Sequence, residues 1–175
     1  MHKILLSESC IYGDYLPEIS GINNNEIKKF ILKEISSSSK NLSDYEEYNC
    51  SFNQNLDWIN TYIRNKLSAK HKIFLDFMDH YLLKQNYNES ILKRNHLDFY
   101  STKNTPDFIS IYFVDDSSNN LILEYDDHRS KNLNWKIPVE KNKCVTFNSG
   151  INFYFNKNKE DKILTHYIIK WHQVK

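Results

Sequence analysis

The sequence predicts an α+β fold, and two observations carry that prediction. Apolar residues recur at helical spacing in two stretches of the first 71 residues. Later in the chain the pattern changes to short runs of β-branched and aromatic residues, which turn-forming residues separate. Candidate strands are predicted at 91–99, 108–114, 121–125, 135–139, 144–147, 151–155 and 163–171. Evenly spaced short strands are typical of a barrel or jelly-roll, and helices that precede strands indicate the α+β class.

The first predicted helix begins after a run of asparagines. Asn24 or Asn25 can cap it, and Ile27 and Ile31 belong to an apolar stripe at helical spacing. The serine run at 36–39 ends the helix, and we interpret that run as a loop within one domain.

Three further segments complete the N-terminal half. Residues 9–19 are predicted to form an edge strand or an extended arm, because Pro17 cannot donate to a neighbouring strand. A second amphipathic helix is predicted over 56–67. Residues 72–81 fit two patterns, since their apolar residues match both the alternation of a strand and the spacing of a helix.

Length and charge limit the classes of function. A chain of 175 residues is long enough for one domain with a substantial core. We therefore predict a single domain, with residues 1–71 as a helical support layer and residues 72–175 as the strand-rich part. The formal net charge of +1 gives no overall attraction to nucleic acid or to an anionic membrane. We expect neither of these as a partner.

The cysteine content and the hydropathy pattern predict an intracellular location. The 3 cysteines are widely spaced and form no Cys-x-x-Cys pair, which suits reduced thiols in a cytosol. No apolar run approaches the length of a membrane span, and the N-terminal segment becomes polar too soon for a signal peptide. We expect a cytoplasmic protein of a host or an infected cell, or a component of a virion.

A histidine and an aspartate separated by one residue form the motif on which a functional hypothesis depends. His96 and Asp98 lie in the predicted strand 91–99. Side chains at i and i+2 of a strand point to the same face, so these two groups can act as two ligands of a facial metal triad. The structural alternative is a histidine on an inward strand face that is hydrogen-bonded to a nearby aspartate.

The residues around this motif resemble the Fe(II)/2-oxoglutarate-dependent dioxygenases, in particular their prolyl-hydroxylase-like branch. Tyr87 precedes His96 at the interval that the family shows, and Ser90 stands where the family usually has Gly. The segments 108–127, 142–149 and 162–171 are similar to the family's following blocks, with two asparagines in place of the family's paired glycines. The resemblance implies a double-stranded β-helix (jelly-roll) on which the N-terminal helices pack.

The resemblance also implies a site for Fe(II) and 2-oxoglutarate. His96 and Asp98 would be metal ligands, and the family's distal histidine position falls at Asn152 or Phe153. The Asn152 amide oxygen is then the candidate third ligand, whereas a hydrophobic plug formed by Phe153 would favour an inactive module. The residues expected to contact the cosubstrate are Tyr87 and Lys162, although the spacing also matches Asp161 to the basic position.

Two functions from different classes follow. The first is a 2-oxoglutarate/Fe(II)-dependent dioxygenase that hydroxylates a peptide or a small molecule. The second is a catalytically inactive module with protein partners, such as a structural or binding component of a phage virion. A sugar-modifying jelly-roll of the cupin type ranks last, because the His-x-His and Glu that it needs are absent at suitable spacing.

The remaining histidines show no ligand spacing. His166 is expected to be a barrel or surface histidine whose hydrogen bonds are satisfied, and His128 to be solvated in a turn. Neither belongs to the predicted metal site.

Overall fold

A computed structural model of the chain describes residues 10–17, 24–37, 47–49, 53–94, 105–125 and 133–174. These residues form two α-helices, α1 (Asn24–Ser37) and α2 (Gln54–His71). They also form ten β-strands: β1 (Ile11–Tyr15), β2 (Glu47–Asn49), β3 (Leu75–Gln85), β4 (Ile91–Arg94), β5 (Phe108–Phe113), β6 (Asn120–Tyr125), β7 (Leu133–Pro138), β8 (Lys143–Asn148), β9 (Asn152–Phe155) and β10 (Leu164–Gln173). The predicted combination of helices with antiparallel sheets is confirmed. Among the described residues, no helix is both long and apolar enough to span a membrane.

The strands form a larger and a smaller antiparallel sheet. The larger sheet has the order β1-β8-β5-β10-β3-β2, and the smaller has the order β4-β9-β6-β7. The eight strands from β3 to β10 pair in a nested way: β6 with β7, β5 with β8, β4 with β9, and β3 with β10. As a result, strands that are far apart in the sequence become neighbours, and the end of β4 is brought to the start of β9.

Apolar side chains from both sheets meet between them and form a region that we call the inter-sheet core. The larger sheet contributes Tyr81, Leu83, Ile109, Ile111, Phe113, Val145, Phe147 and Ile168, and the smaller sheet contributes Ile91, Leu121, Leu123, Phe153 and Phe155. Each strand supplies alternate residues, because successive side chains point to opposite faces. Burial of this many large apolar side chains holds the two sheets together.

The opposite face of the larger sheet packs against the helices in a second region, the helix-facing core. Its helix residues are Ile27, Ile31, Leu56, Ile59, Ile63 and Leu67, and its strand residues include Leu82, Tyr112, Cys144, Tyr167, Ile169 and Trp171. The helical residues recur at spacings of three and four, as the amphipathic pattern predicts. The described residues therefore form three layers: helices, larger sheet and smaller sheet.

Helix α2 has a defined start and end. The Asn53 side chain caps it, because Asn53 Oδ1 accepts a hydrogen bond from the backbone N–H of Asn55 at 2.9 Å. At the other end, Lys72 adopts a left-handed conformation with φ 59°. The Lys72 N–H donates to the Ser68 carbonyl at 3.1 Å, and the Ile73 N–H donates to the Leu67 carbonyl at 3.3 Å. The chain then turns directly into β3, so the ambiguous segment 72–81 is mostly strand.

The N-terminal half also contributes strands. β1 is an edge strand that pairs with β8, so the prediction of an edge strand before Pro17 is confirmed. At the other edge of the larger sheet, β2 pairs with β3. The range 1–71 therefore extends the sheet in addition to supplying both helices.

Buried amide side chains cross-link one end of the inter-sheet core. Gln85 Nε2 donates to the carbonyls of Glu89 at 2.8 Å and Asn156 at 2.6 Å. Asn119 Nδ2 donates to Gln85 Oε1 at 3.0 Å, and Asn158 Nδ2 donates to the Lys162 carbonyl at 2.8 Å. These bonds fix the connection between β9 and β10, because every amide in the network is buried and has a partner.

Candidate functional site

The His-x-Asp motif follows directly after β4. His96 and Asp98 lie outside the residues that the structure describes, as does His128. Arg94, the last residue of β4, pairs with Phe153 at the start of β9. The described strands therefore bring the beginning of the motif's segment to the same place as the two positions predicted for the third ligand.

At that place the side chain that faces the interior is a phenyl ring. Phe153 is fully buried in the inter-sheet core, and its ring centroid lies 5.7 Å from that of Phe147. Asn152 is one residue earlier, so strand alternation directs its side chain to the opposite face of β9. On the neighbouring strand Asn152 is paired with Glu124. The interior position thus holds a group that cannot ligate a metal.

Lys162 lies at the surface, in the connection before β10, and its side chain is held by two contacts. Its ammonium contacts Glu160 Oε2 at 2.8 Å and donates to the Asp116 carbonyl at 2.7 Å. Lys162 lowers the pKa of Glu160 to about 2, and hydrogen bonds from Ser118 N–H and Ser117 Oγ–H act in the same direction. The structure therefore gives Lys162 a role in tying two surface loops together.

Tyr87 also lies at the surface. It is 60% exposed, in the turn that leads into β4. The next residue, Asn88, has φ 66°, a left-handed conformation that asparagine tolerates well. Of the three predicted residues, Tyr87 lies in the turn before β4, Asn152 lies at the start of β9, and Lys162 lies in the connection before β10.

His166 is buried, which agrees with one of its two predicted locations, but its hydrogen bonding differs from the expectation. It lies on β10 in the inter-sheet core, where its ring stacks on Phe155 at 4.0 Å and meets the edge of Phe113 at 5.8 Å. Both ring nitrogens lack a hydrogen-bond partner among the described residues. The expectation that its hydrogen bonds are satisfied is therefore wrong, because phenyl rings surround it. The alternation of Leu164, His166 and Ile168 was the signal that placed this imidazole on the inward face.

Burial determines the charge of His166. Loss of solvation lowers its pKa to about 3, so the imidazole is neutral near pH 7. A neutral imidazole cannot form an ion pair with a carboxylate in the interior.

The described residues of the inter-sheet core include neither a cation nor a complete ligand set for an Fe(II)/2-oxoglutarate pair. Such a site needs a third ligand beside a His-x-Asp motif and a cation for the far carboxylate of the cosubstrate. The described core presents Phe153 and Phe155, which supply no ligand, and His166, whose neutral imidazole supplies no cation for that carboxylate. The described segments also contain no cluster of three or more His, Cys, Asp or Glu residues that could hold a metal.

Comparison with known proteins gives a result at the level of structure only. No protein-family profile matches the sequence, and no curated protein matches it either. Solved structures do match. The viral collagen prolyl hydroxylase from Paramecium Bursaria Chlorella virus-1 has a TM-score of 0.63 and 14% identity, and the match covers 100% of this chain and 99% of that chain.

Two further solved structures extend the comparison. A prolyl-4-hydroxylase from Pseudomonas putida has a TM-score of 0.65 and 6% identity over 94% of this chain and 93% of that chain. A prolyl hydroxylase from Trichoplax adhaerens, in complex with a hypoxia inducible factor peptide fragment, has a TM-score of 0.63 and 11% identity over 94% and 83%. Identities this low establish a shared fold alone. The resemblance predicted from the sequence is confirmed at that level, because the structural neighbours of this chain are 2-oxoglutarate/Fe(II)-dependent oxygenases.

Proposed function

We propose that strands β3 to β10 form the double-stranded β-helix that the sequence resemblance implies. The nested pairing around the β6–β7 hairpin supports this assignment, because a long hairpin that is rolled up produces two facing sheets with this order. The inter-sheet core is then the interior of the jelly-roll, and the start of β9 lies at its metal-binding end.

We propose further that the chain is a non-catalytic domain that binds a peptide. The observation that carries this proposal is the buried Phe153 ring at the interior position of β9. A phenyl ring supplies no ligand, and its removal from the core would leave a large cavity. The stacked pair of Phe155 and His166 occupies the adjacent interior positions without providing a cation. A peptide partner is supported by the Trichoplax neighbour, whose structure contains a bound peptide fragment.

The second candidate is an active dioxygenase, which the His96–Asp98 spacing after β4 favours. In this case Fe(II) and 2-oxoglutarate would be the cofactors, and a peptide or small molecule the substrate. A slip of β9 by one residue would turn Asn152 inward and Phe153 outward, since register sets the face of every side chain in a strand. Such a slip would also remove Phe155 from the core.

Turnover of 2-oxoglutarate to succinate separates the two candidates. We expect purified protein with Fe(II), ascorbate and a proline-containing peptide to form no succinate above a control without enzyme. We also expect Mn(II) and 2-oxoglutarate to leave the melting temperature unchanged, because a ligand that binds only the folded state must stabilise it. Succinate formation that the variant His96→Ala abolishes would overturn the non-catalytic proposal.

Peptide binding is tested separately with a defined probe. A fluorescein-labelled (Pro-Pro-Gly) repeat peptide is chosen because one neighbour is a collagen prolyl hydroxylase. We expect saturable binding in fluorescence anisotropy without Fe(II) or 2-oxoglutarate, and equal affinity for His96→Ala. No binding, or binding only when metal and cosubstrate are present, would contradict the proposal.

A further inference from the structure

A cleft outside the inter-sheet core has the composition of a ligand site. It lies between α2 and β3 and has a volume of about 290 Å³, close to the lower limit for small-molecule sites. Asp57, Asn60 and Arg64 line it from the helix, and Phe77 and His80 line it from the strand. The three helix residues share a face because their spacings are three and four.

A partly buried hydrogen-bond chain fixes the polar wall of this cleft. The Tyr167 hydroxyl donates to Asn60 Oδ1 at 3.0 Å, since an amide oxygen can only accept. The Tyr167 oxygen lies 2.7 Å from His80 Nδ1 and therefore accepts from it. Tyr167 is fully buried. The chain thus holds the Asn60 amide in one orientation and leaves the Asn60 Nδ2 group as the donor for a ligand.

Arg64 lies one helical turn beyond Asn60 and adds a second donor. It is exposed, and its guanidinium has no ion pair or hydrogen bond among the described residues. Arg64 lies four residues after Asn60, so the guanidinium and the Asn60 amide N–H₂ present several donors on one side of the helix. Carboxylate oxygens are the acceptors that a guanidinium binds best, through paired charge-assisted hydrogen bonds.

The opposite wall of the cleft is apolar. Phe77 is 46% exposed although it is a large aromatic residue. Its ring is fixed by edge contacts with His80 at 5.2 Å and with Trp171 at 6.2 Å. A fixed ring offers apolar surface with little entropy to lose on binding. Asp57, on the other side of Asn60, makes that end of the cleft negative and unfavourable for a second carboxylate.

We propose that this cleft binds a small monocarboxylate with an aromatic or aliphatic body. The carboxylate lies on Arg64 and Asn60, the body packs on Phe77, and Asp57 excludes dicarboxylates. The site lies on the helix side of the larger sheet, so it does not depend on whether the inter-sheet core is catalytic. Failure of one proposal leaves the other unaffected.

Phenylacetate is the test probe, and binding is measured by chemical shift changes in NMR titrations. We expect saturable binding for the wild-type protein and none for 2-phenylethanol, which lacks the charge. Arg64→Gln is expected to weaken phenylacetate binding by about tenfold or more, which is the order of one charge-assisted hydrogen bond. The matched control is Lys66→Gln, which removes a cation from the same helix at a position outside the cleft and should leave the affinity unchanged.

Specificity gives a second and independent readout. Asp57→Asn should keep phenylacetate binding and raise the affinity for phenylmalonate, a dicarboxylate with the same ring. Since Arg64 and Asp57 are exposed, neither substitution threatens the fold, and circular dichroism checks this. The proposal is overturned if wild-type protein binds no phenylacetate, if Arg64→Gln and Lys66→Gln weaken binding equally, or if phenylmalonate binds the wild type as well as phenylacetate does.

Discussion

The two cores of this protein differ in one buried polar side chain, the imidazole of His166. In the helix-facing core the buried polar groups have partners: Trp171 Nε1 donates to Ser110 Oγ at 2.8 Å, and Ser110 Oγ shares a hydrogen bond of 2.6 Å with Thr146 Oγ1. In the inter-sheet core the imidazole of His166 lies between two phenyl rings with no partner among the described residues. The first region therefore uses its polar groups for stability, whereas the second includes one that opposes it.

This difference bears on where the chain can carry out chemistry. A jelly-roll interior that holds a metal and a charged cosubstrate must contain ligands and a cation, and it must leave space for them. In this chain the inter-sheet core is packed with rings. Ordered polar groups reach solvent on the helix side of the larger sheet, through the His80–Tyr167–Asn60 chain. A fold that is shared with oxygenases can thus present ordered polar groups on a different face.

The largest expected effect comes from removing an aromatic ring of the inter-sheet core. Phe155→Ala should lower the free energy of unfolding by about 3–5 kcal/mol, through lost burial and the cavity that remains. The matched control Phe74→Ala also removes a phenyl ring, but from a position that is 53% exposed. It should change the free energy of unfolding by less than about 1 kcal/mol. Urea denaturation measures both. Similar values for the two variants would show that the inter-sheet core is not tightly packed.

The next test introduces an imidazole at position 153 as a third metal ligand. If His96 and Asp98 face the start of β9, Phe153→His completes a three-ligand set. Mn(II) at 100 times its dissociation constant should then stabilise the variant by about 2.7 kcal/mol, which corresponds to a rise of about 5–10 °C in melting temperature.

Two controls keep this result interpretable. Phe153→Leu repeats the loss of the ring without adding an imidazole, and the double variant Phe153→His, His96→Ala removes one of the original ligands. Neither should respond to Mn(II) in differential scanning calorimetry. Equal stabilisation of Phe153→His with and without His96 would show that the motif does not face β9.

The secondary structure was largely readable from the sequence because its signals are local. Helical spacing of Ile27 and Ile31, and of the apolar residues in 56–67, is a property of neighbouring residues, and it locates α1 and α2 correctly. The strand β3 was ambiguous because its identity depends on pairing with β10, which lies far along the chain. Local pattern cannot report such a partner.

The candidate site was harder to predict, because contacts between distant residues decide it. Whether Asn152 or Phe153 faces the interior depends on the register of β9, and a difference of one residue reverses the answer. Lys162 is held by Asp116, from a loop that the sequence places far away. His166 lacks hydrogen-bond partners among the described residues because the rings of Phe113 and Phe155 pack against it. These contacts join residues that are not neighbours in the sequence.

The pH dependence of the free energy of unfolding tests the contribution of His166, which lacks a hydrogen-bond partner among the described residues. Since burial lowers the pKa of His166 to about 3, the unfolded chain, with a pKa near 6.5, binds more protons between those two values. Stability is therefore fully present above about pH 6.5 and is lost as the pH falls. At pH 5 the loss from this group is about 2 kcal/mol. His166→Leu should remove this loss in urea denaturation series from pH 7.5 to 4.5, while His172→Leu, at a half-buried position, should keep it.

The smallest of these effects sharpens the contrast between the two cores. Ser110→Ala leaves Trp171 Nε1–H and Thr146 Oγ1 without their buried partner, so it should lower the free energy of unfolding by about 1–3 kcal/mol. His166→Leu at pH 7.5 deletes a polar group that has no partner to leave behind, so it should be neutral or stabilising. Opposite signs for these two deletions, measured under the same conditions, are expected if pairing sets the energetic role of each polar side chain. If both variants lose the same stability, then His166 has a partner in solution, and the inter-sheet core is less apolar than its ring packing indicates.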